Sequence, residues 1–293
     1  MAAPAVWTLA VWTFAVWIFA VWGLAAGPVL AQGARSTGLD LLERREKILG
    51  WEAVGKLDIE GGGFCTATLI ETTLVLTAAH CVFEADGQAV APSRVTFRAG
   101  QSGDHAIATG RAARIAAHPG YDPRGQMSAQ NVRHDLALVE LATPIPAAVA
   151  APFPVQAPGR LRTVSVVSYA QDRSAALSWQ RECSVTGQGQ GLMQFDCDVH
   201  FGSSGAPVFD RSGARARIVS VISAGNREGG RSVSYGMELP DLVTAMKAQL
   251  RSGRDVISDA PRGAPPATIR RIGVGTPGKT TAGQSSGAKF LRP

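Results

Sequence analysis

Charged side chains are scarce in this chain of 293 residues: they make up 18% of it, and the first is Arg35. Hydrophobic residues reach 45%, so the chain is not a disordered polyelectrolyte. The formal net charge is +6, and residues 251–293 account for all of it, with eight basic and two acidic side chains. The remaining chain is neutral, which argues against a basic nucleic-acid-binding body. There are only four cysteines, with no C-x-x-C pair and no paired histidine spacing, so a structural zinc site lacks its usual pattern. No long amphipathic helix occurs before residue 239. The body must therefore be built mainly from strands.

The uncharged N-terminus carries the tandem pentapeptides AVWTL, AVWTF, AVWIF and AVWGL. Residues 5–26 would reach about 33 Å as a helix, enough to cross a bilayer. Gly27-Pro28 breaks that helix, and Val29-Leu30-Ala31 offers small or apolar residues where a signal peptidase reads. Residues 1–31 are read as an export signal, with an uncleaved anchor as the alternative. In both cases the remainder is secreted, periplasmic or otherwise outside the cytoplasm. Four cysteines in an exported chain point to disulfides. Cys65 and Cys81 are 16 apart and Cys183 and Cys197 are 14 apart. Three pairings are open, and nearest-neighbour pairing is the simplest; each such bridge would contribute about 3 kcal/mol by closing a short loop.

Residues 32–47 read as a pro-segment or linker. From residue 48 to 222 the apolar runs are short, rich in Val, Ile, Thr and Phe, and bounded by turn residues. Examples are FCTATLI, TLVLTAA, DLALVEL and TVSVVSYA. This is an all-β pattern. Leu239-Pro240-Asp241 then opens a helix with Leu242, Val243, Met246 and Leu250 at helical spacing, and Gly253 stops it. Residues 254–293 are basic and rich in Pro and Gly, and are expected to be disordered or loosely ordered. They contain Gly273-Val-Gly-Thr-Pro-Gly278-Lys279-Thr280, a literal P-loop match. Only 13 residues follow it, too few for the α/β sheet that a P-loop requires.

Three segments carry catalytic chemistry: Thr77-Ala78-Ala79-His80-Cys81, His134-Asp135-Leu136-Ala137-Leu138 and Gly202-Ser203-Ser204-Gly205-Ala206-Pro207. A serine hydroxyl needs an adjacent base to act as a nucleophile. A neutral imidazole can take its proton, and a carboxylate then fixes the tautomer and stabilises the imidazolium. Small residues around the serine let backbone N–H groups hold an oxyanion. The order His80, Asp135, Ser204 differs from the α/β-hydrolase order, in which His comes last; no histidine follows His200.

With Cys65-x-x-x-Leu69-Ile70, His118-Pro119-Gly120-Tyr121 and Gly202-x-Ser204-Gly205-x-Pro207 added, residues 48–253 resemble the trypsin/chymotrypsin-like serine proteases. The similarity is to their bacterial trypsin-like and glutamyl-endopeptidase-like branch. The resemblance implies two six-stranded antiparallel β-barrels with a C-terminal helix, and a cleft between the barrels. It implies His80, Asp135 and Ser204 as the catalytic triad, with Gly202 and Ser204 forming the oxyanion hole. Cys65–Cys81 matches the family bridge, which leaves Cys183 and Cys197 for the second. Asp198, Val199, Ser223, Ala224 and Gly225 are the expected substrate-binding residues.

The resemblance further implies an endopeptidase that works without metal or organic cofactor. Its partner would be a protein or peptide substrate, with no nucleic acid, and the protein is expected to be a monomer. The alternative is an inactive, protease-like binding module. The cationic tail offers a contact with an anionic cell surface; a solvated extension is the plainer reading. Ser203 stands where trypsins have the Asp that pairs with a freed α-amino group, so cleavage at Lys47-Ile48 is not expected to be the switch. Three side-chain preferences stay open: basic through Asp198, small or apolar, and glutamate. Ile222 argues against the last, because it stands where a pocket histidine is expected.

Overall fold

The structure is a computed structural model that describes residues 38–228 and 230–259. The apolar leader and the chain from residue 260 lie outside the described residues, and so does the P-loop match. Six strands form the first barrel: β2 (Val54–Ile59), β3 (Phe64–Glu71), β4 (Leu74–Thr77), β5 (Val95–Ala99), β6 (Ala108–Ala117) and β7 (Ala137–Leu141). They run in the order β6-β5-β2-β3-β4-β7, and a β6–β7 pairing closes the ring. The second barrel comprises β8 (Thr163–Ser168), β9 (Leu177–Gly189), β10 (Leu192–Phe195), β11 (Pro207–Asp210), β12 (Arg217–Glu228) and β13 (Arg231–Met237). Its order is β9-β10-β13-β12-β11-β8, closed by β8–β9. The expected pair of closed six-stranded antiparallel barrels is therefore present, as is the C-terminal helix, α3 (Pro240–Ser252).

Strand chemistry explains the barrels. Along β2, Leu57 and Ile59 are buried while Lys56 and Asp58 are only half-buried, the alternation of a one-sided sheet. Short strands such as β4 and β11 are buried throughout. One apolar cluster fills the first barrel and continues into the contact between barrels; a second, with Val164, Met193, Phe195, Val208 and Ile222, fills the other. Trp51, three residues before β2 begins, anchors the junction. Its ring lies 5.1 Å from Phe209, 5.2 Å from Trp179 and 5.8 Å from Phe153, centroid to centroid. Such contacts hold the two halves of the cleft at a fixed spacing.

Two boundaries differ from the sequence reading. The segment read as a linker contributes β1 (Leu39–Leu42), paired antiparallel with β9 from Leu177 to Gln180, and a short helix α1 (Arg45–Ile48). Ile48 is buried in the core. At the other end, β14 (Ile257–Ser258) pairs with β6 at Arg114 and Ile115. Asp259 there accepts hydrogen bonds from the Ser93 N–H (2.8 Å) and hydroxyl (3.1 Å). The folded unit thus runs at least from Leu39 to Asp259. The physical reason is the same at both ends. β6 and β9 are longer than their hairpin partners, and a terminal segment satisfies the backbone groups that would otherwise form an open edge.

Candidate active site

His80 and Asp135 stand at the same ends of neighbouring strands. β4 pairs with β7, with Thr77 opposite Ala137. His80 follows β4 in a single 3-10 turn, Ala79–Val82. Asp135 closes α2 (Ala129–His134), a helix capped by the Ser128 hydroxyl, just before β7 begins. Strand pairing therefore brings the two together. His80 Nδ1 lies 2.7 Å from Asp135 Oδ2, and the His80 N–H donates to Asp135 Oδ1 at 2.8 Å. Asp135 is nearly fully buried. With Nδ1 committed to the carboxylate, Nε2 is the nitrogen able to take a proton. Burial alone would lower the His80 pKa; the Asp135 charge and its hydrogen bond outweigh this and hold it above 6.5.

The opposing wall comes from the second barrel. Ser204 lies in the loop before β11, at the position where both barrels line one cleft of about 890 Å³ with His80, Asp135, Gly202 and Ser223. Two glycines shape this loop. Gly202 and Gly205 both have positive φ, at 93° and 76°. A Cβ at Gly202 would overlap the Phe64 ring, and one at Gly205 would overlap the Thr66 carbonyl oxygen and the Thr77 hydroxyl. The loop can thus press against the first barrel only with glycine at these places. The Ser203 N–H donates to the His200 carbonyl (2.8 Å) and the Gly205 N–H to the Ile222 carbonyl (2.8 Å). The N–H groups of Gly202 and Ser204 have no acceptor among the described residues, the arrangement an oxyanion hole requires.

Two supports were not readable from the sequence. The Ser223 hydroxyl donates to Asp135 Oδ2 at 2.6 Å, so this residue, expected to line the substrate channel, also holds the carboxylate. Thr66, on β3 and fully buried, ties the barrels together at the hole. Its hydroxyl donates to the Gly202 carbonyl (2.8 Å) and accepts from the Tyr169 N–H (2.9 Å), and its own N–H donates to the Ser204 carbonyl (2.8 Å). No local pattern marks a β-strand threonine for this task; its partners are more than 100 residues away along the chain. Tyr121 also faces the cleft, and burial, then Asp135 and Asp122, raise its pKa and keep it a neutral phenol.

Of the expected substrate-binding residues, Val199, Ser223, Ala224 and Gly225 line the cleft. Asp198 does not. Its N–H donates to Gln180 Oε1 (2.8 Å) and its carboxylate accepts from the Ser232 hydroxyl on β13 (3.1 Å). Both bridges are formed, Cys65–Cys81 beside His80 and Cys183–Cys197 behind the Ser204 loop. Cys65, His80 and Cys81 could draw together around a metal ion, but both sulfurs are committed to a disulfide and offer no thiolate.

The trypsin-like peptidase domain family matches residues 63–215, more than half of the chain. The chain belongs to the trypsin-like peptidases. Glutamyl endopeptidase from Bacillus licheniformis is 27% identical over 156 residues, which cover 52% of this chain and 47% of that protein. Human serine protease 56 is 35% identical over 95 residues, 32% of this chain and 14% of that protein. This trypsin-like peptidase thus spans half or less of the curated relatives it matches. Among solved structures, a Glu endopeptidase in complex with MPD superposes with a TM-score of 0.61 at 20% identity, covering 73% of this chain and 97% of that one. The thermostable serine protease AL20 gives 0.55 at 19% identity, over 69% and 98%. These superpositions carry the two-barrel fold.

Proposed function

We propose that this trypsin-like peptidase is an active serine endopeptidase. The observation that carries the reading is the His80–Asp135 pair, with its 2.7 Å bond, facing a loop in which the N–H groups of Gly202 and of Ser204 itself have no acceptor among the described residues. Ser204 Oγ attacks the scissile carbonyl as His80 Nε2 takes its proton. The carbonyl oxygen becomes an oxyanion held by the N–H groups of Gly202 and Ser204. Asp135 keeps the imidazolium oriented and stabilised, and Ser223 keeps Asp135 in place. His80 then protonates the leaving amine, which yields an acyl-enzyme. Water, activated by the same His80, hydrolyses the ester and restores Ser204.

Two disulfides fit an oxidising compartment outside the cytoplasm. The substrate class is protein or peptide, because the cleft is open along Ser223, Ala224 and Gly225, where an extended chain can lie beside β12. A fluorophosphonate probe tests the reading. It should label the wild type covalently at Ser204 and fail on Ser204→Ala and His80→Ala, and peptide turnover should fall by several orders of magnitude in both variants. A folded wild type that neither labels nor cleaves would instead be a binding module.

A further inference from the structure

We propose that Val199 makes the primary specificity pocket a shallow, apolar one, so that the enzyme cuts after a small uncharged side chain of alanine to valine size. This rests on the serine endopeptidase reading and names its substrate class. With the scissile carbonyl oxygen at the Gly202 and Ser204 N–H groups, and the substrate backbone beside Ser223, Ala224 and Gly225, the preceding side chain enters between Val199 and the Ile222–Gly225 wall.

That space is already narrowed. A Cβ on Gly225 would overlap Val199 Cγ2, so the valine methyl rests directly against the Gly225 backbone. Val199 and Ile222 pack on the apolar cluster that includes Cys197 and Ala206, and the Cys183–Cys197 bridge pins the strand behind them. The valine therefore cannot swing aside without disturbing the barrel. With that methyl against the Gly225 backbone, the space left favours a small side chain over a long or aromatic one.

The charge pattern points the same way. Asp198 is adjacent in sequence but directed to Ser232 and held through its N–H by Gln180, outside the cleft lining. A lysine or arginine entering between Val199 and Gly225 would find no carboxylate among the described side chains of that wall. A glutamate would find no cation among the described side chains of the pocket wall. His200 lies at the outer rim, exposed and edge-on to the Phe201 ring at 5.6 Å. A charge carried into such a site without a partner is strongly disfavoured.

A peptide library varied at the residue before the scissile bond, read together with fluorophosphonate labelling, tests this. The wild type should label and should cleave after Ala or Val at least about 100-fold more efficiently than after Arg or Glu. Val199→Gly should move the preference toward Leu and Phe by about tenfold or more, with Val199→Ala shifting it partway; labelling reports that each variant is folded. A labelled wild type that prefers Glu would overturn the proposal and leave the serine endopeptidase reading intact. So would a preference for Arg or Lys that Asp198→Asn abolishes. An unchanged ranking in labelled Val199→Gly would also overturn it. A wild type that does not label overturns both.

Discussion

Thr66→Val is the most informative single change outside the triad. It keeps the shape and the backbone N–H bond to the Ser204 carbonyl, but deletes the hydroxyl. The Tyr169 N–H loses its acceptor at 2.9 Å and the Gly202 carbonyl its donor at 2.8 Å. Thr66 and Tyr169 are fully buried and Gly202 is half-buried, so water has little access to the two groups, least of all to the Tyr169 N–H. Each orphaned buried group costs about 1–3 kcal/mol, and the two together about 2–4 kcal/mol once local relaxation is allowed. For a domain of this size that lowers Tm by roughly 5–15 °C. Catalysis should suffer separately, because Thr66 fixes the carbonyls of the two residues whose N–H groups form the proposed hole. A misaimed donor should cost roughly tenfold to a hundredfold in kcat, with little change in KM. Thr66→Ser, which restores the hydroxyl, should recover most of both. Thermal unfolding and steady-state kinetics measured well below Tm separate the effects. An unchanged Tm would refute the buried-strut argument, and an unchanged kcat in the folded variant would refute the link to the hole.

Three further predictions follow from the same geometry. Catalysis needs neutral His80, whose pKa is held above 6.5 mainly against burial by the Asp135 charge and hydrogen bond; kcat/KM should therefore fall as pH drops through a value above 6.5. For stability the sign is reversed: the protonated histidine is the better-held form, so its contribution is present below 6.5 and lost as pH rises through the folded pKa. Replacing Cys183 and Cys197 together with Ala should lower stability by about 3 kcal/mol, from the loss of a short covalent loop, and a calorimetric loss near zero would mean the barrel alone fixes the pocket wall. Lys47→Gln, which blocks tryptic cleavage before Ile48, should leave turnover unchanged. Ile48 is already buried, and the hydroxyl of Ser203, fully buried, is within hydrogen-bond reach of the Ser168 hydroxyl, the Tyr169 carbonyl and the His200 N–H. Activity that appears only after release of a free Ile48 terminus would refute this.

The aromatic junction shows why tertiary structure was needed even where the pattern was clear. Trp51, Phe153, Trp179 and Phe209 sit on separate segments, and nothing local tells that they meet between the barrels. The same is true of His118 and His134. They stand 16 residues apart in the sequence, yet they stack face to face at 4.5 Å and both bind the Gly120 backbone. Burial first, and then the His134 charge, lower the His118 pKa, which suits the acceptor role of its Nδ1.

What the sequence determined by itself was local or ordered along the chain. Short β-branched runs between turns set an all-β body, the Pro240 and Gly253 signals bounded α3, and the order of His80, Asp135 and Ser204 is what the proposed triad rests on. These depend on neighbours within a few residues, or on order alone. Only the tertiary structure decided what depends on surfaces meeting across the fold. It added β1 and β14 as seventh strands, one to each barrel, because two long strands left edges to fill. It gave Thr66 and Ser223 their tasks, through partners on distant strands. It turned Asp198 away from the cleft and Val199 into it. A side chain's direction at the end of a loop is set by what packs behind it, and adjacency in sequence does not carry that information.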